Sequence, residues 1–219
     1  MPLITIARQF GAGGEAVGQI LAHRLHAEMV DKGIVAEVAR RLEMPETEVE
    51  RNDESPGSFL NRLLASLGAA SVEFTGPPEV AAWTPPYNDP AFDPRRAILQ
   101  ITQEVIREAA RTGNAVIVGR GSAYILRDQE DATHVFLHAD PEFRLKLAAE
   151  TLDITAEEAR KRMKTTDANR SAYIRQVYGH DWSHPAHYDI VLDTGRLGLE
   201  GAAEAVLAAV KARRRERIT

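Results

Sequence analysis

Near the start of the chain, Phe10-Gly11-Ala12-Gly13-Gly14-Glu15-Ala16-Val17-Gly18 has the composition of a turn that holds phosphate. Glycines let successive backbone N–H groups point into one concavity, and at a helix N-terminus that concavity binds an anion by dipole and hydrogen bond without side chains. The same residues also suit a turn that only packs a helix close to its strand. A second group is Val116-Ile117-Val118-Gly119-Arg120-Gly121. An arginine between glycines directly after an apolar run presents a guanidinium at a sheet's carboxyl edge, where it grips phosphate or pairs with a carboxylate such as Asp31. A third is Arg160-Lys161-Arg162-Met163-Lys164-Thr165-Thr166-Asp167-Ala168-Asn169-Arg170, with Tyr173 and Arg175 beyond. Cations on one helical stretch clamp transferring phosphates when a lid closes, or form a solvated face.

The phosphate loop of nucleoside-triphosphate enzymes needs G-x-x-x-x-G-K-[ST], with the Lys on the phosphates and the hydroxyl on magnesium. With Gly11-Ala12-Gly13 laid on the Gly-x-Gly before that Lys, the Lys position is Gly14, its successor Glu15 and the hydroxyl position Ala16. An inward Glu15 would oppose a polyphosphate, whereas an outward one in the first helical turn favours the positive helix end; the outward placement is expected. His180, His184 and His187 with Asp181 invite a metal, but Pro185 breaks the segment and zinc spacings are not met, so no metal is expected there. His23 and His26 read as surface residues of the first helix.

These residues need elements to position them. Leu3 to Ala7 reads as a short buried strand, and Val17, Ile20, Leu21 and Leu25 continue past the glycines at helical spacing, a βα unit. Glu28 to Val30 is a second strand, followed by a helix marked by Ile34, Val35, Val38 and Leu42 and ended by Pro45. Phe59, Leu60, Leu63, Leu64 and Leu67 mark another helix. Between Gly76 and Pro94, Pro77, Pro78, Pro85, Pro86, Pro90 and Pro94 exclude regular structure while Trp83, Tyr87 and Phe92 argue against a free linker, giving an ordered surface excursion. Ile98 to Ala109 is a long helix ended near Gly113, Ala115 to Val118 a strand covered on both faces, and Thr133 to His138 a further strand. Asp140 caps a helix from Pro141 to Thr151, and Thr155 with Glu158 forms a capping box on a helix running to Val177. Ile190 to Leu192 is the last strand and Leu199 to Arg213 the closing helix. Short strands alternating with helices, without a hairpin, predict a parallel sheet covered on both faces, with ligands at the strands' carboxyl ends.

The 219 residues fit one domain, and 44% hydrophobic with 27% charged residues is ordinary for a soluble globular protein, which excludes collagen-like and wholly disordered classes. There is no cysteine, so disulfides and thiolate metal sites are excluded. No apolar run approaches the roughly 18 residues of a membrane span, and Met1 to Phe10 does not resemble a secretory signal; a cytoplasmic protein is expected, with no membrane partner. The net charge of −5 gives no general attraction for nucleic acid. The tail is basic: Lys211, Arg213, Arg214, Arg215 and Arg217 against Glu216 give +4, read as a solvated end that offsets its helix dipole or as a tail for a polyanion.

Ile4-Thr5-Ile6-Ala7-Arg8-Gln9-Phe10-Gly11, Val30-Asp31-Lys32, the Gly119-Arg120-Gly121 turn, and Asp167-Ala168-Asn169-Arg170 through Asp181-Trp182 to Tyr188-Asp189 together resemble the cytidylate kinase-like family. That family is similar to bacterial cytidylate kinase among the P-loop nucleoside monophosphate kinases. The likeness runs in order along nearly the whole chain, least through Asn52 to Pro94. It implies a P-loop NTPase-like α/β three-layer sandwich, its five-stranded parallel sheet centred on the loop strand and topped by a helical lid. On this reading residues 1–219 form a single domain, with a variable acceptor-region insertion about 52–94 and the lid about 155–188. The resemblance implies a phosphate loop of Gly11, Ala12, Gly13, Gly14, Glu15 and Ala16, substrate contacts at Arg8, Asp31 and Arg120, and catalytic roles for Arg120, Arg162, Lys164, Asp167 and Arg170. ATP and Mg2+ are the implied cofactors, a small nucleotide the implied partner; oligomeric state stays open.

Members of the family usually carry Gly-Gly-Arg-Glu in the loop, where this chain has Gly13-Gly14-Glu15-Ala16, and often an Asp shortly after the Gly-Arg pair, where it has Ala123. A missing loop cation must be supplied elsewhere, because removing a preorganised charge partner from phosphoryl transfer costs several kcal/mol. The expected activity is ATP-dependent phosphoryl transfer to a nucleoside monophosphate, cytidylate first and uridylate or deoxycytidylate next. The alternatives are a catalytically impaired nucleotide- or phosphometabolite-binding protein, and a kinase of another small metabolite.

Overall fold

The computed structural model describes residues 2–31, 33–43, 45–47, 49 and 93–216. The element order is β1 (Leu3–Arg8), α1 (Gly14–Leu25), β2 (Glu28–Val30), α2 (Gly33–Leu42), α3 (Pro94–Thr112), β3 (Ala115–Val118), α4 (Ser122–Ile125), β4 (Ala132–His138), α5 (Pro141–Leu152), α6 (Ala156–Tyr178), a 3-10 turn (Pro185–His187), β5 (Ile190–Asp193) and α7 (Thr194–Glu216). The expected helix around Phe59 to Leu67 and the proline-rich stretch up to Phe92 lie outside the described residues. Pro94 is a correction to that stretch: it is the first residue of α3, where its missing N–H costs nothing, and the Asp93 side chain caps the helix by accepting from Arg95 N and Arg96 N. The short α4 has no periodicity long enough to be read in advance.

All strand pairs are parallel, in the order β2-β3-β1-β4-β5. Alternation of side chains splits each central strand between two cores. Leu3, Ala115 and Ile117 pack with α2 and α3 on one face, while Ile4, Ile6, Val116, Val118, Val135 and Leu137 pack with α1 and α7 on the other. Both faces of β3 are therefore covered, which is why it reads as an unbroken apolar run. β1 sits in the middle, paired Ile6↔Val118 with β3 and Arg8↔Leu137 with β4, so the loop that follows it leaves the sheet at its centre. α7 is broken at Gly198 (φ 70°, ψ 168°), so its long segment begins at the expected Leu199.

Four side chains, those of Thr5, His134, Asp189 and Arg213, tie distant parts of the sheet together. Thr5 Oγ1 lies 2.7 Å from His134 Nδ1 in the core, and the His134 N–H donates to Asp189 Oδ2 at 2.7 Å. Arg213 donates to the same Asp189 oxygen at 2.7 Å and to Ala132 O at 2.6 Å. Arg213, read from sequence as part of a solvated tail, thus fastens α7 to the starts of β4 and β5.

Candidate functional site

The carboxyl ends of β1 and β3 open into two adjoining clefts. The larger, about 670 Å3, is floored by the glycine loop: Gly11, Gly13, Gly14, Glu15 and Ala16 line it, with Leu147 and Thr151 of α5 opposite. The smaller, about 370 Å3, lies under the turn Gly119-Arg120-Gly121, with Tyr173 and Ile174 of α6 across from it. Arg8 and Arg170 line both.

The loop is held rigidly from below. Gly11 (φ 75°) is pressed against the Arg144 carbonyl, where a Cβ would collide. Ala12 is fully buried, and the buried Thr194 hydroxyl shares its proton between Ala12 O (3.0 Å) and His138 O (3.1 Å). Phe10 is gripped at both ends: its N–H donates to Asp167 Oδ1 at 2.8 Å, and its carbonyl accepts from Arg144 Nε at 2.8 Å. Arg144 Nη2 in turn donates to Asp167 Oδ2, closing the ring between α5 and α6. A loop fixed in this way keeps its N–H groups aimed without reorganisation.

Helix capping points to the same place. Asp140 and Thr155 cap α5 and α6 with their side chains, as expected, and Asp93 caps α3. α1 instead begins after Gly13 (φ 74°), a cap residue with no side chain to bond the first amides. Those donors and the positive end of the helix dipole face the larger cleft, the arrangement that binds an anion.

Of the expected phosphate-loop residues, Gly11, Gly13, Gly14, Glu15 and Ala16 line the larger cleft, whereas Ala12 is buried behind it; Arg8 and Arg170 line both clefts, and Arg120 lines the smaller one alone. Arg170 donates from Nη1 to Arg8 O at 3.0 Å, anchoring the middle of α6 to the end of β1. Asp167 stands behind the loop. Arg162 is exposed and ion-paired with Glu158 at 2.9 Å, and Lys164 is exposed; neither lines a cleft. Asp31 stands beyond the end of β2, outside both linings. Glu15 is exposed in the first turn of α1, at the rim of the larger cleft. Among the residues lining the two clefts it is the only carboxylate, and Ala16 provides no hydroxyl.

Behind the smaller cleft an aromatic cluster of Tyr124, Phe136, Trp182 and Tyr188, with Ile174 of α6, joins α6 and the segment after it to the sheet. Tyr188 OH donates to Trp182 O at 2.7 Å, and burial raises the Tyr188 phenol well above its ordinary range, so it stays protonated. His180 and His187 have ring centroids 4.5 Å apart, and His180 stacks on Tyr124 at 5.6 Å. Among the described residues no three His, Asp or Glu side chains converge as a metal site requires. Arg144 and Thr194, which hold the loop, carry no local sequence signal: one is a cation inside an ordinary helix, the other a threonine after a strand.

The sequence profile of the cytidylate kinase-like family matches residues 3–196. The cytidylate kinase of Methanopyrus kandleri is 31% identical over 98 residues, a match spanning 41% of this chain and only about half, 51%, of that protein's length. The cytidylate kinase of Archaeoglobus fulgidus is 24% identical over 213 residues, covering 96% of both chains. A crystal structure of an uncharacterised protein from Eubacterium ventriosum superposes with a TM-score of 0.67 at 20% identity, covering 96% of this chain and 99% of that one, a likeness of fold. No helix among the described residues is long and apolar enough to cross a membrane.

Proposed function

Because the chain belongs to the cytidylate kinase-like family, we propose that it transfers a phosphoryl group from ATP to the phosphate of a nucleoside monophosphate, cytidylate first among them. One observation carries the reading: Arg8 and Arg170 line both clefts, so a triphosphate on the glycine loop and a monophosphate beneath Arg120 would meet at shared cations. The uncapped start of α1 supports the donor side, since its amides suit the β- and γ-phosphates. Arg120, between two glycines at the end of β3, suits the acceptor phosphate as a bidentate donor. The acceptor's own phosphate oxygen is the nucleophile, so positioning and charge neutralisation suffice and no protein base is needed. Arg162 and Lys164 add charge to the transferring group only if α6 moves toward the clefts.

Mg2+ supplies charge neutralisation between donor phosphates in this chemistry. Among the described residues lining the larger cleft there is one carboxylate, Glu15 at the rim, and no hydroxyl at Ala16, so phosphate oxygens and water would hold most of its shell. A coupled assay of ADP release with ATP, magnesium and each common monophosphate tests the proposal. Turnover is expected, greatest with cytidylate, and none with any acceptor overturns it. The absence of a lysine at Gly14 and a hydroxyl at Ala16 favours, as the second reading, a protein that binds nucleotide without transferring phosphate. Tight ATP binding by calorimetry with no turnover is its signature, and a different phosphorylated or hydroxylated acceptor would show as turnover with that compound alone.

A further inference from the structure

The sequence pattern G-x-x-x-x-G-K puts a glycine at the end of the strand and a lysine at the start of the helix. Laid on this chain with Gly13 as its second glycine, the pattern's first glycine position holds Arg8 and its lysine position holds Gly14. Cation and glycine have traded places. The structure shows what the exchange does. The Arg8 side chain crosses directly over Gly14: a Cβ built there would stand 2.6 Å from Arg8 Cγ and 3.0 Å from its Cβ. Its guanidinium ends on the backbone of Gly119 (φ 82°), where a Cβ would collide with Nη1. The two glycines, one at the start of α1 and one after β3, thus form a channel that admits this side chain: a Cβ at position 14 would meet its fixed base, and one at position 119 would displace its tip. Arg8 lines both clefts, its carbonyl is fixed by Arg170, and among the described residues its guanidinium has no carboxylate partner.

We propose that Arg8 is the phosphate-binding cation of the loop, doing from the end of β1 what a lysine at position 14 would do from the start of α1, and that its ligand is the terminal phosphate of a polyphosphate. On the kinase reading, with which this is consistent and on which its catalytic part rests, Arg8 contacts the transferring group throughout. An acceptor phosphate oxygen forms a bond to the γ-phosphorus, the bond from that phosphorus to the bridging oxygen breaks, and the electron pair leaves with ADP. Arg8 supplies charge and hydrogen bonds to the group in transit and moves no proton. Because the guanidinium serves the group in transit between the clefts, its loss lowers kcat more than it raises either KM.

The test compares wild type with Arg8→Gln and Arg8→Lys. The measurements are calorimetry with inorganic tripolyphosphate, steady-state kinetics with ATP and cytidylate, and thermal melting. For Arg8→Gln the expected result is at least a tenfold loss of tripolyphosphate affinity and about a hundredfold loss of kcat, with the KM for ATP raised about as much as tripolyphosphate affinity falls and the KM for cytidylate within about threefold. Arg8→Lys should recover part of each, and melting temperatures should stay close to wild type. Unchanged tripolyphosphate affinity and kcat in Arg8→Gln overturn the assignment while leaving the kinase reading intact. No turnover by wild type, with tripolyphosphate binding that depends on Arg8, removes the kinase reading and keeps the assignment. A fall in melting temperature with unaltered affinity in the folded protein, in either variant, makes Arg8 structural and overturns the assignment. Gly119→Ala is the second variant: in an Arg8→Ala background its effect on stability should shrink, because the collision has been removed. Additive effects count against the channel.

Discussion

Arg144 and Asp167, on different helices, hold the backbone of the same residue, Phe10, one at its carbonyl and the other at its N–H, and are bonded to each other. The side chain of Arg144 is 8% exposed and that of Asp167 21%. Nearly buried partners of this kind are costly to separate, since each leaves the other's charge without compensation.

Arg144→Met should therefore destabilise the protein by about 3 kcal/mol, and Asp167→Leu by a comparable amount. The double variant should lose clearly less than the sum, because no unpaired charge remains. Urea unfolding measures all three. Loss of the clamp also frees the loop entrance, so ATP should bind more weakly to the folded single variants. Additive losses would show that the two residues do not act as a pair.

Arg120→Ala should weaken cytidylate binding by about ten- to a hundredfold, the order expected for a charge-assisted contact, with tripolyphosphate affinity and the melting temperature little changed. Arg120 already has a left-handed backbone (φ 57°), and alanine keeps the same Cβ, so the substitution isolates the guanidinium. A collapse in melting temperature with cytidylate affinity intact would assign Arg120 to holding loops together.

Glu15 stands at the rim where Arg8 stands at the floor. Glu15→Arg should raise ATP affinity only about two- to threefold at physiological salt and more at low salt, as screening dictates for an exposed charge. A gain of tenfold or more that persists in high salt would place position 15 against the phosphates themselves.

The buried His134 sets an acid limit on stability. Burial, only partly offset by Asp189, lowers its imidazole below the ordinary value. The unfolded chain takes up this proton near pH 6.5 and the folded one only at lower pH, so in that window the unfolded state binds more protons. Stability is full above about pH 6.5 and falls as the pH drops toward the folded value. His187 is lowered in the same sense, by burial and by His180 and His184, so the decisive comparison is His134→Gln against wild type. The variant should show a shallower loss of stability between pH 7 and about pH 5 in urea titrations. An identical slope would remove His134 from the acid response.

The strands and most helix ends were legible because they rest on local physics. Asp140 before Pro141 and Thr155 three residues before Glu158 each satisfy amides within a single turn, and the run Ala115 to Val118 needs only a sheet covered on both faces. What escaped reading depends on closure across the chain. Arg144 reaches back to Phe10, Thr194 to Ala12 and Arg213 to Asp189, and nothing beside any of them in sequence announces a partner so far away. Arg8 shows the boundary: its type and its place beside the glycine loop were visible, but its path from the end of β1 over Gly14 to Gly119 exists only once α1 and β3 are side by side. The cations of α6 illustrate the converse, since a run of like charge is plain in sequence while the face that carries Arg162 toward Glu158 is set by how α6 is anchored at Asp167 and Arg170.

The uncapped start of α1 also has a thermodynamic meaning. A serine or aspartate before a helix typically adds about 1 kcal/mol, and this chain uses such residues on α3, α5 and α6 but leaves Gly13 bare. On the proposed function the donor's phosphates would supply the missing cap, and a hundredfold excess of that ligand over its dissociation constant would shift the folding equilibrium by about 2.7 kcal/mol. Resistance to heat and to proteases would then report occupancy, and a cell short of the ligand would hold a softer copy of the same molecule.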